Sequence, residues 1–171
     1  KFMKIYDCFM YFDEDVVLDV RLNFLDKHVD KFIVVESKYN HKGESRKPLF
    51  NIKKFEKFKS KIEYILIDEI PGGIETIEKN DHKNTIYGKS IFNAWRRENL
   101  QRNQIIKGLL SADKDDWVII SDLDEIPNLN KINLKDIKSK LVFFKQDMMY
   151  YKFNLKLVNY TWIGSKACKV K

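Results

Sequence analysis

Short apolar runs alternate with helical patterns along the first two thirds of this chain. Residues 2–12 are dense in aromatic and β-favouring residues and are predicted to form the first strand and its exit. Residues 31–37 are predicted to form a second, buried strand and residues 62–67 a third. Between the first two runs, apolar residues recur at the spacing of one helix face, at Leu18, Leu22, Leu25 and Val29. A short amphipathic helix is predicted over residues 52–58. This alternation predicts an α/β fold with a mostly parallel central sheet.

The longest helical pattern covers residues 89–110. Its apolar stripe is formed by Ile91, Trp95, Ile105 and Leu109. Glu98 and Arg102 lie on the same stripe one turn apart, where they can form an ion pair. Such a pair is either a buried structural salt bridge or part of a site. The irregular polar segment before it, residues 71–87, is typical of a lid or binding loop, with disorder as the alternative.

The later part of the chain is less regular. A short helix is predicted over residues 134–138 and a strand over residues 141–144. Because no long helix separates the later strands, this part of the sheet is predicted to be mixed or antiparallel. The length of 171 residues suits one domain with its own core.

The apolar run at residues 117–120 ends in three carboxylates within the four residues 122–125, and Pro127 closes the segment. An unpaired carboxylate is costly inside a buried strand, so Asp122 and Asp124 are expected at the strand's carboxyl end, where open α/β sheets bind ligands. Side chains alternate along extended backbone, so both aspartates point the same way and Leu123 points into the core. Two converging carboxylates repel each other unless a cation lies between them. The pattern therefore indicates a hard divalent cation whose other ligands are phosphate oxygens.

Composition and charge narrow the class of ligand. The net charge is +7, and the lysine cluster over residues 53–61 is more typical of a solvated helix face than of a nucleic-acid site. A basic surface still favours an anionic ligand such as a nucleotide diphosphate. Cys8 and Cys168 lack metal-type spacing, which favours a reducing compartment over a disulfide framework. No apolar run is long enough to cross a bilayer, and no signal-peptide pattern is recognisable.

Three blocks, in order, resemble glycosyltransferase family 17. They are IYDCFMYFDEDVVLDVRLNFLDKHVDKFIVVES, ENLQRNQIIKGL and DDWVIISDLDEIP, and the resemblance spans about residues 4–164. It implies a GT-A fold, a Rossmann-like α/β domain that binds a nucleotide sugar. One GT-A-like catalytic domain is expected over residues 1–171, with truncation at the C-terminus left open because the chain is short for the family.

The resemblance also implies an activity. The family is expected to move a sugar, usually N-acetylglucosamine, from a UDP-sugar donor to a hydroxyl of a glycan acceptor, with inversion and with Mn²⁺ (or Mg²⁺). Asp124 is then expected to bind the metal directly, and Asp122 to contact the donor ribose or to reach the metal through water. The expected partners are the donor and the acceptor, without nucleic acid or a membrane span. A cytoplasmic bacterial or viral-type relative is expected, or a Golgi-lumen protein if an N-terminal anchor has been removed.

Sugar transfer also needs groups for the donor phosphates and for the acceptor proton. Arg102 offers a planar fork of donors to phosphate, and Arg21 is the weaker candidate because it can simply pair with a neighbour on its helix. Asp147 is the first candidate for the base that accepts the acceptor proton, and Glu125 is the second. Asp147 is otherwise a turn residue, and Glu125 a partner of a helix N-terminus.

The nucleotide and the sugars need flat or polar surfaces. Uracil and ribose are expected near the ends of the first strands, around Asp7, Phe9 and Glu36. Glu36 is alternatively an N-cap or salt-bridge residue. The sugars are expected to contact aromatic residues that are otherwise core residues, namely Tyr150, Tyr151 and Trp162.

Two other hypotheses follow from single features. A haloacid-dehalogenase-type phosphohydrolase would use Asp122 as its nucleophile, but such enzymes carry the motif on their first strand, and Ile126 here replaces their usual Thr or Val. A non-enzymatic binder of nucleic acid or another anionic polymer would rely on the net charge and would show steep salt dependence.

Overall fold

A computed structural model describes residues 2–151 and 154–170 as a mixed α/β fold. In chain order the elements are β1 (Ile5–Tyr11), α1 (Asp15–Leu25), β2 (Lys31–Ser37), β3 (Ile62–Ile67), α2 (Lys83–Asn103), β4 (Trp117–Ser121), β5 (Leu141–Phe143), β6 (Gln146–Met149), β7 (Lys156–Trp162) and β8 (Lys166–Lys169). Short 3₁₀ helices cover Ile52–Phe58, Gln104–Leu109 and Leu134–Asp136.

The main sheet has six strands in the order β3-β2-β1-β4-β8-β5. Strands β1 to β4 are parallel, as the alternating sequence pattern predicts. The chain adds β2 and β3 on one side of β1 and then crosses to place β4 on the other side. The carboxyl ends of β1 and β4 therefore meet at a topological switch point, where open α/β sheets bind their ligands.

The C-terminal part of the sheet is mixed, as predicted. Strand β8 is antiparallel to β4, and β5 is antiparallel to β8. Strands β6 and β7 form a separate antiparallel pair. The sequence pattern does not identify β8, because Lys166 and Lys169 enclose only two small residues and give no apolar run.

Both faces of the parallel strands are covered, because successive side chains point to opposite faces. On one face, Phe9 and Phe32 pack in the same cluster as Leu18 and Leu22 of α1. On the other face, Ile33 packs in a cluster with Ile105 of the 3₁₀ segment after α2. Full burial of one such leucine or phenylalanine contributes roughly 1.5–3 kcal/mol. These two layers fix the strand ends that carry the site.

Helix α2 differs from its predicted form. It begins at Lys83 rather than residue 89, ends at Asn103 and continues as a 3₁₀ segment. Ile91 and Trp95, predicted to be apolar-face residues, are 51% and 56% exposed. The sheet-facing contacts come from the end of the helix and the 3₁₀ segment, so the first turns extend beyond the sheet. Within the described ranges, no helix combines the length and apolar character needed to cross a membrane.

The irregular connection before α2 is fastened to that helix. The buried Asn93 side chain exchanges two hydrogen bonds with the backbone of Glu75, each of 2.8 Å. Lys89 adds a bond to the carbonyl of Thr76 and an ion pair with Asp81. The segment is therefore ordered by α2 around Glu75 and Thr76, which disfavours the disordered alternative.

Candidate active site

A cleft of about 780 Å³ opens where β1, β2 and β4 end. Strand β1 contributes Met10 and Tyr11, the loop after β2 contributes residues 39–42, and α2 contributes Glu98 and Gln101. The residues that follow β4 complete the wall. The cleft therefore lies at the switch point of the sheet.

Asp122 and Asp124 lie directly after β4 and are both exposed in the cleft. Leu123 between them is buried. This alternation confirms the orientation predicted for the three residues. A tight turn follows, in which the N–H of Glu125 and the N–H of Ile126 donate to the carbonyls of Asp122 and Asp124, each at 3.1 Å. Both carboxylates therefore project from one short turn.

Arg21 of α1 holds this turn from inside the protein. Its Nη1 donates to the backbone carbonyls of Asp122, Leu123 and Glu125 at 3.0–3.1 Å. Its side chain is fully buried, so it cannot contact a donor phosphate in the cleft. The expectation that Arg21 is a phosphate ligand is therefore wrong.

Asp7 is the ion-pair partner of Arg21. Its two carboxylate oxygens accept from Nη2 and Nε of the guanidinium at 2.7 and 2.8 Å. The Asp7 side chain is fully buried and does not line the cleft. The predicted contact with the nucleotide would require this pair to separate, so we assign Asp7 to the support of the site instead.

Glu125 closes the same turn from the other side. Its Oε2 accepts from the N–H of Asp122 at 3.0 Å, and its Oε1 accepts from the indole N–H of Trp162. A Cβ added to Gly164 would overlap the Glu125 carboxylate, so glycine leaves room for these bonds. Glu125 does not line the cleft. It would have to exchange a partner for the acceptor hydroxyl to act as the predicted base.

Arg102 connects α2 to the turn. Its Nη2 donates to Glu98 Oε1 at 2.9 Å and to Asp122 Oδ1 at 3.0 Å. All three side chains are between one third and just over one half exposed. Of the two alternatives for the charged pair on this helix, a place at the site therefore agrees with the geometry better than a buried structural bridge does.

Glu36, at the end of β2, fastens the loop that forms the opposite wall. Its buried carboxylate accepts from Arg46 Nη1, from the N–H groups of Leu49 and Phe50, and from the Tyr64 hydroxyl, at 2.7–3.1 Å. Burial and the bond to Glu36 raise the pKa of Tyr64, which keeps that hydroxyl protonated and able to donate. Glu36 therefore has the salt-bridge role that the sequence left open, and it does not face the predicted nucleotide.

The exposed groups at the ends of β1 and β2 lie slightly later in the chain than predicted. Phe9 is fully buried, whereas Phe12 is 43% exposed and lines the cleft. The Arg46 guanidinium lies 3.9 Å from the centroid of the Phe12 ring, and Tyr39 lines the cleft from the loop after β2. The cleft does lie at these strand ends, but the sequence alone did not show where burial stops.

Asp147 lies apart from the cleft, on β6. It forms an exposed ion pair with Lys156 of β7 at 2.7 Å. The aromatic residues expected to contact sugars lie on or beside this hairpin, where Tyr150 and Tyr151 are exposed and Trp162 bonds to Glu125. Lys152 and Phe153 of the same stretch lie outside the described residues. Trp162 therefore contacts the turn that carries Asp122 and Asp124.

The charge of the cleft is opposite to that of the chain. Its lining includes five carboxylates and a single lysine, Lys42. The carboxylates are Glu14, Glu44, Glu98, Asp122 and Asp124. A diphosphate would be repelled from this surface unless a cation accompanied it.

The donor set fits a cation shared with a substrate. Among the side chains of residues 2–151 and 154–170, no group of three or more His, Cys, Asp and Glu could hold a metal ion by itself. Asp122 and Asp124 nevertheless present two exposed carboxylates on one turn. Mg²⁺-type ions are commonly held by one or two carboxylates together with substrate phosphates. The residues therefore suit a metal that enters with its phosphate ligand.

Comparison with known proteins identifies the family. The sequence model of glycosyltransferase family 17 matches residues 1–168. The chain belongs to glycosyltransferase family 17. Searches of curated proteins and of solved structures find no match.

Membership of glycosyltransferase family 17 fixes the broad class of chemistry as glycosyl transfer, with a sugar donor and an acceptor as ligands. The family match favours this class over the phosphohydrolase and the anionic-polymer binder. The acidic motif of the sequence lies at the wall of the cleft.

Proposed function

We propose that this chain is a metal-dependent, inverting glycosyltransferase of GT-A type that moves N-acetylglucosamine from its UDP donor to a glycan hydroxyl. The observation that carries the proposal is the placement of Asp122 and Asp124, exposed together in an acidic cleft at the switch point of the sheet. A buried arginine and a buried leucine keep the rest of the turn inside the protein. From this turn, the carboxylates of Asp122 and Asp124 are the charged groups that line the cleft.

Mn²⁺ or Mg²⁺ would be held by Asp124 directly and by Asp122 either directly or through water. When bound, the ion acts as a Lewis acid that neutralises charge on the departing diphosphate. Asp122 is also bonded to Arg102, so the arginine holds this carboxylate on the α2 side of the cleft. Asp124 is the freer of the two, which supports its assignment as the principal ligand.

Arg102 is proposed to bind the donor phosphates as well. Its position beside Asp122 at 3.0 Å places a positive group next to the proposed metal ligands. Phe12 and Tyr39 are proposed to contact the uracil and ribose, because they are aromatic residues of the cleft lining that follow β1 and β2 and, unlike Tyr11, are not buried. The Arg46 guanidinium and the contacts of Glu36 hold this wall in place.

In the reaction, the acceptor oxygen forms a bond to the anomeric carbon while the bond from that carbon to the UDP oxygen breaks. The acceptor proton passes to a carboxylate base, and UDP leaves with the electron pair. Asp147 and Glu125 remain the sequence-based candidates for the base, each engaged with a partner. Attack from the face opposite the diphosphate gives inversion.

Calorimetric titration of UDP-N-acetylglucosamine, with Mn²⁺ present or chelated, tests this proposal. Binding is expected only with the metal, because the cleft repels an unaccompanied diphosphate. UDP-galactose and UDP-glucose serve as competing donors that test the choice of sugar. Equal binding in chelator contradicts metal dependence, and failure of every UDP-sugar to bind contradicts the donor class.

Replacement of Arg102 by Gln is expected to weaken UDP binding in the presence of Mn²⁺ by about 10–100-fold, since hydrogen bonds to charged groups contribute about 1.5–3 kcal/mol. The same titration measures the effect. Arg96→Gln is the matched control, because Arg96 lies on the same helix and bonds to the carbonyl of Gly72 outside the cleft lining. Equal UDP affinities of the Arg102 and Arg96 variants would show that Arg102 does not bind the donor.

A further inference from the structure

The guanidinium of Arg21 is the most extensively bonded side chain near the cleft. An arginine has five N–H donors. Here Nε bonds Asp7, Nη2 bonds Asp7 and the Ser121 hydroxyl, and Nη1 bonds three backbone carbonyls. The guanidinium also lies 4.7 Å from the centroid of the Phe9 ring. Every nitrogen is engaged, and the side chain has no exposed surface.

The three carbonyls belong to the turn that carries the proposed metal ligands. Carbonyl oxygens of Asp122, Leu123 and Glu125 converge on one nitrogen at 3.0–3.1 Å. Converging carbonyl dipoles repel each other unless a positive charge lies among them. Because the carbonyls of Asp122 and Leu123 point inward, the backbone between them is fixed while the side chains of Asp122 and Asp124 extend into the cleft. The turn therefore depends on the charge and on the fork shape of Arg21.

Asp7 fixes the fork itself. The bidentate pair between Asp7 and Arg21 sets both the position and the plane of the guanidinium, which a single bond would not do. Asp7 lies on β1, in register with Ile119 of β4. The pair therefore ties the turn after β4 to the neighbouring strand as well as to α1.

We propose that Arg21, oriented by Asp7, is a positioning residue that sets the direction of the Asp122 and Asp124 carboxylates for the metal-bound donor. The proposal rests on the proposed function, in that it names what prepares the metal site. Groups that orient metal ligands without touching the metal typically alter metal affinity or activity by about 10–100-fold.

The competing explanation is that the Asp7–Arg21 ion pair only stabilises the fold. A double variant distinguishes this explanation from the positioning role. Replacement of a buried ion pair by apolar residues of similar volume is often neutral for stability. Arg21→Met combined with Asp7→Leu is therefore expected to fold while the inward carbonyls lose their donor. Arg21→Lys keeps a positive charge beside Asp7 but lacks the planar fork needed to bond Asp7 and the turn together.

Electron paramagnetic resonance of Mn²⁺, measured with UDP present, gives the decisive readout. Both variants are expected to bind Mn²⁺ about 10–100-fold more weakly than the unmodified chain. Amide hydrogen exchange over residues 122–126 is expected to accelerate in both. Asp116→Ala is the control for a general loss of stability, because Asp116 bonds the backbone of Lys4 and Asp113 at the opposite end of β4. That control is expected to keep its Mn²⁺ affinity.

Unchanged Mn²⁺ affinity in the folded double variant overturns the proposal and leaves Arg21 a structural residue. If the double variant does not fold, the same measurement on Arg21→Lys decides the question. If the unmodified chain binds no Mn²⁺ with UDP, the proposed function fails. Amide hydrogen exchange over residues 122–126 in the Arg21 variants then tests the positioning role of Arg21 independently. An exchange rate equal to that of the unmodified chain would contradict this role.

Discussion

Asp124→Asn is expected to abolish metal-dependent binding of the UDP donor and to reduce glycosyl transfer by roughly 10³-fold, equivalent to about 4 kcal/mol of lost charge stabilisation. The physical reason is the loss of the freer of the two cleft carboxylates. Asp122 cannot replace it, because one of its oxygens is bonded to Arg102. Donor binding by calorimetry and release of UDP in the presence of an acceptor measure the two effects.

The fold should survive this change. Asp124 is exposed, and such substitutions usually change stability by less than about 0.5 kcal/mol. Asp115→Asn is the matched control, since Asp115 is exposed at the opposite end of β4 and the sequence change is identical. Metal-dependent UDP binding by the Asp124→Asn variant would contradict the assignment of the metal site. Loss of binding in Asp115→Asn as well would show that the effect does not arise in the cleft.

Glu36→Ala is expected to lower the free energy of unfolding by about 3–5 kcal/mol, which is the usual cost of breaking a buried ion pair by removing one partner. Four groups lose the Glu36 acceptor at once, namely Arg46, Tyr64 and two backbone N–H groups, although Arg46 keeps its bonds to the carbonyls of Ser37 and Phe12. A buried donor without a partner keeps its full desolvation penalty. Since whole domains are stable by only about 5–15 kcal/mol, chemical denaturation should detect the loss easily.

The comparison variant for Glu36 is Glu63→Ala on the neighbouring strand β3. Glu63 forms a 3.7 Å pair with Lys31 in which both side chains are more than one third exposed. Such surface pairs contribute about 0–1 kcal/mol, so this variant should unfold nearly like the unmodified chain. Similar denaturation midpoints for the two variants would mean that Glu36 does not organise the loop over residues 38–50.

Much of the fold could be predicted from the apolar runs of the sequence, because a strand buried on both faces of a parallel sheet has a continuous apolar run. Strands β2 and β3 begin and end at the predicted residues. The outward direction of Asp122 and Asp124 followed from the same strand geometry. The strand bounds depend on local composition, whereas the turn that carries Asp122 and Asp124 is also held by Arg21 from α1, a contact that the strand pattern does not show.

The roles of Asp7 and Glu36 could not be predicted from the sequence pattern. Both carboxylates end a strand or interrupt one; Asp7 was expected at the ligand, and Glu36 either at the ligand or in an N-cap or salt bridge. In the structure, each is neutralised by an arginine from elsewhere in the chain, Arg21 in one case and Arg46 in the other. A sequence shows where charges occur but not which of them are paired in the interior. Trp95 was misplaced for a related reason, since helical spacing does not show where the sheet beneath a helix ends.

The order in which the sheet is assembled has a consequence for biosynthesis. Strand β4 gains its second neighbour only when β8 is made, and Ser165 just before β8 donates to the carbonyl of Glu125 at 2.7 Å. Trp162 supplies its bond to the same glutamate from an equally late position. During synthesis from the N-terminus, about forty residues must be added after the turn that bears Asp122 and Asp124 before Trp162 and Ser165 can contact it. The proposed catalytic geometry therefore cannot be complete until residues 162–165 have been made.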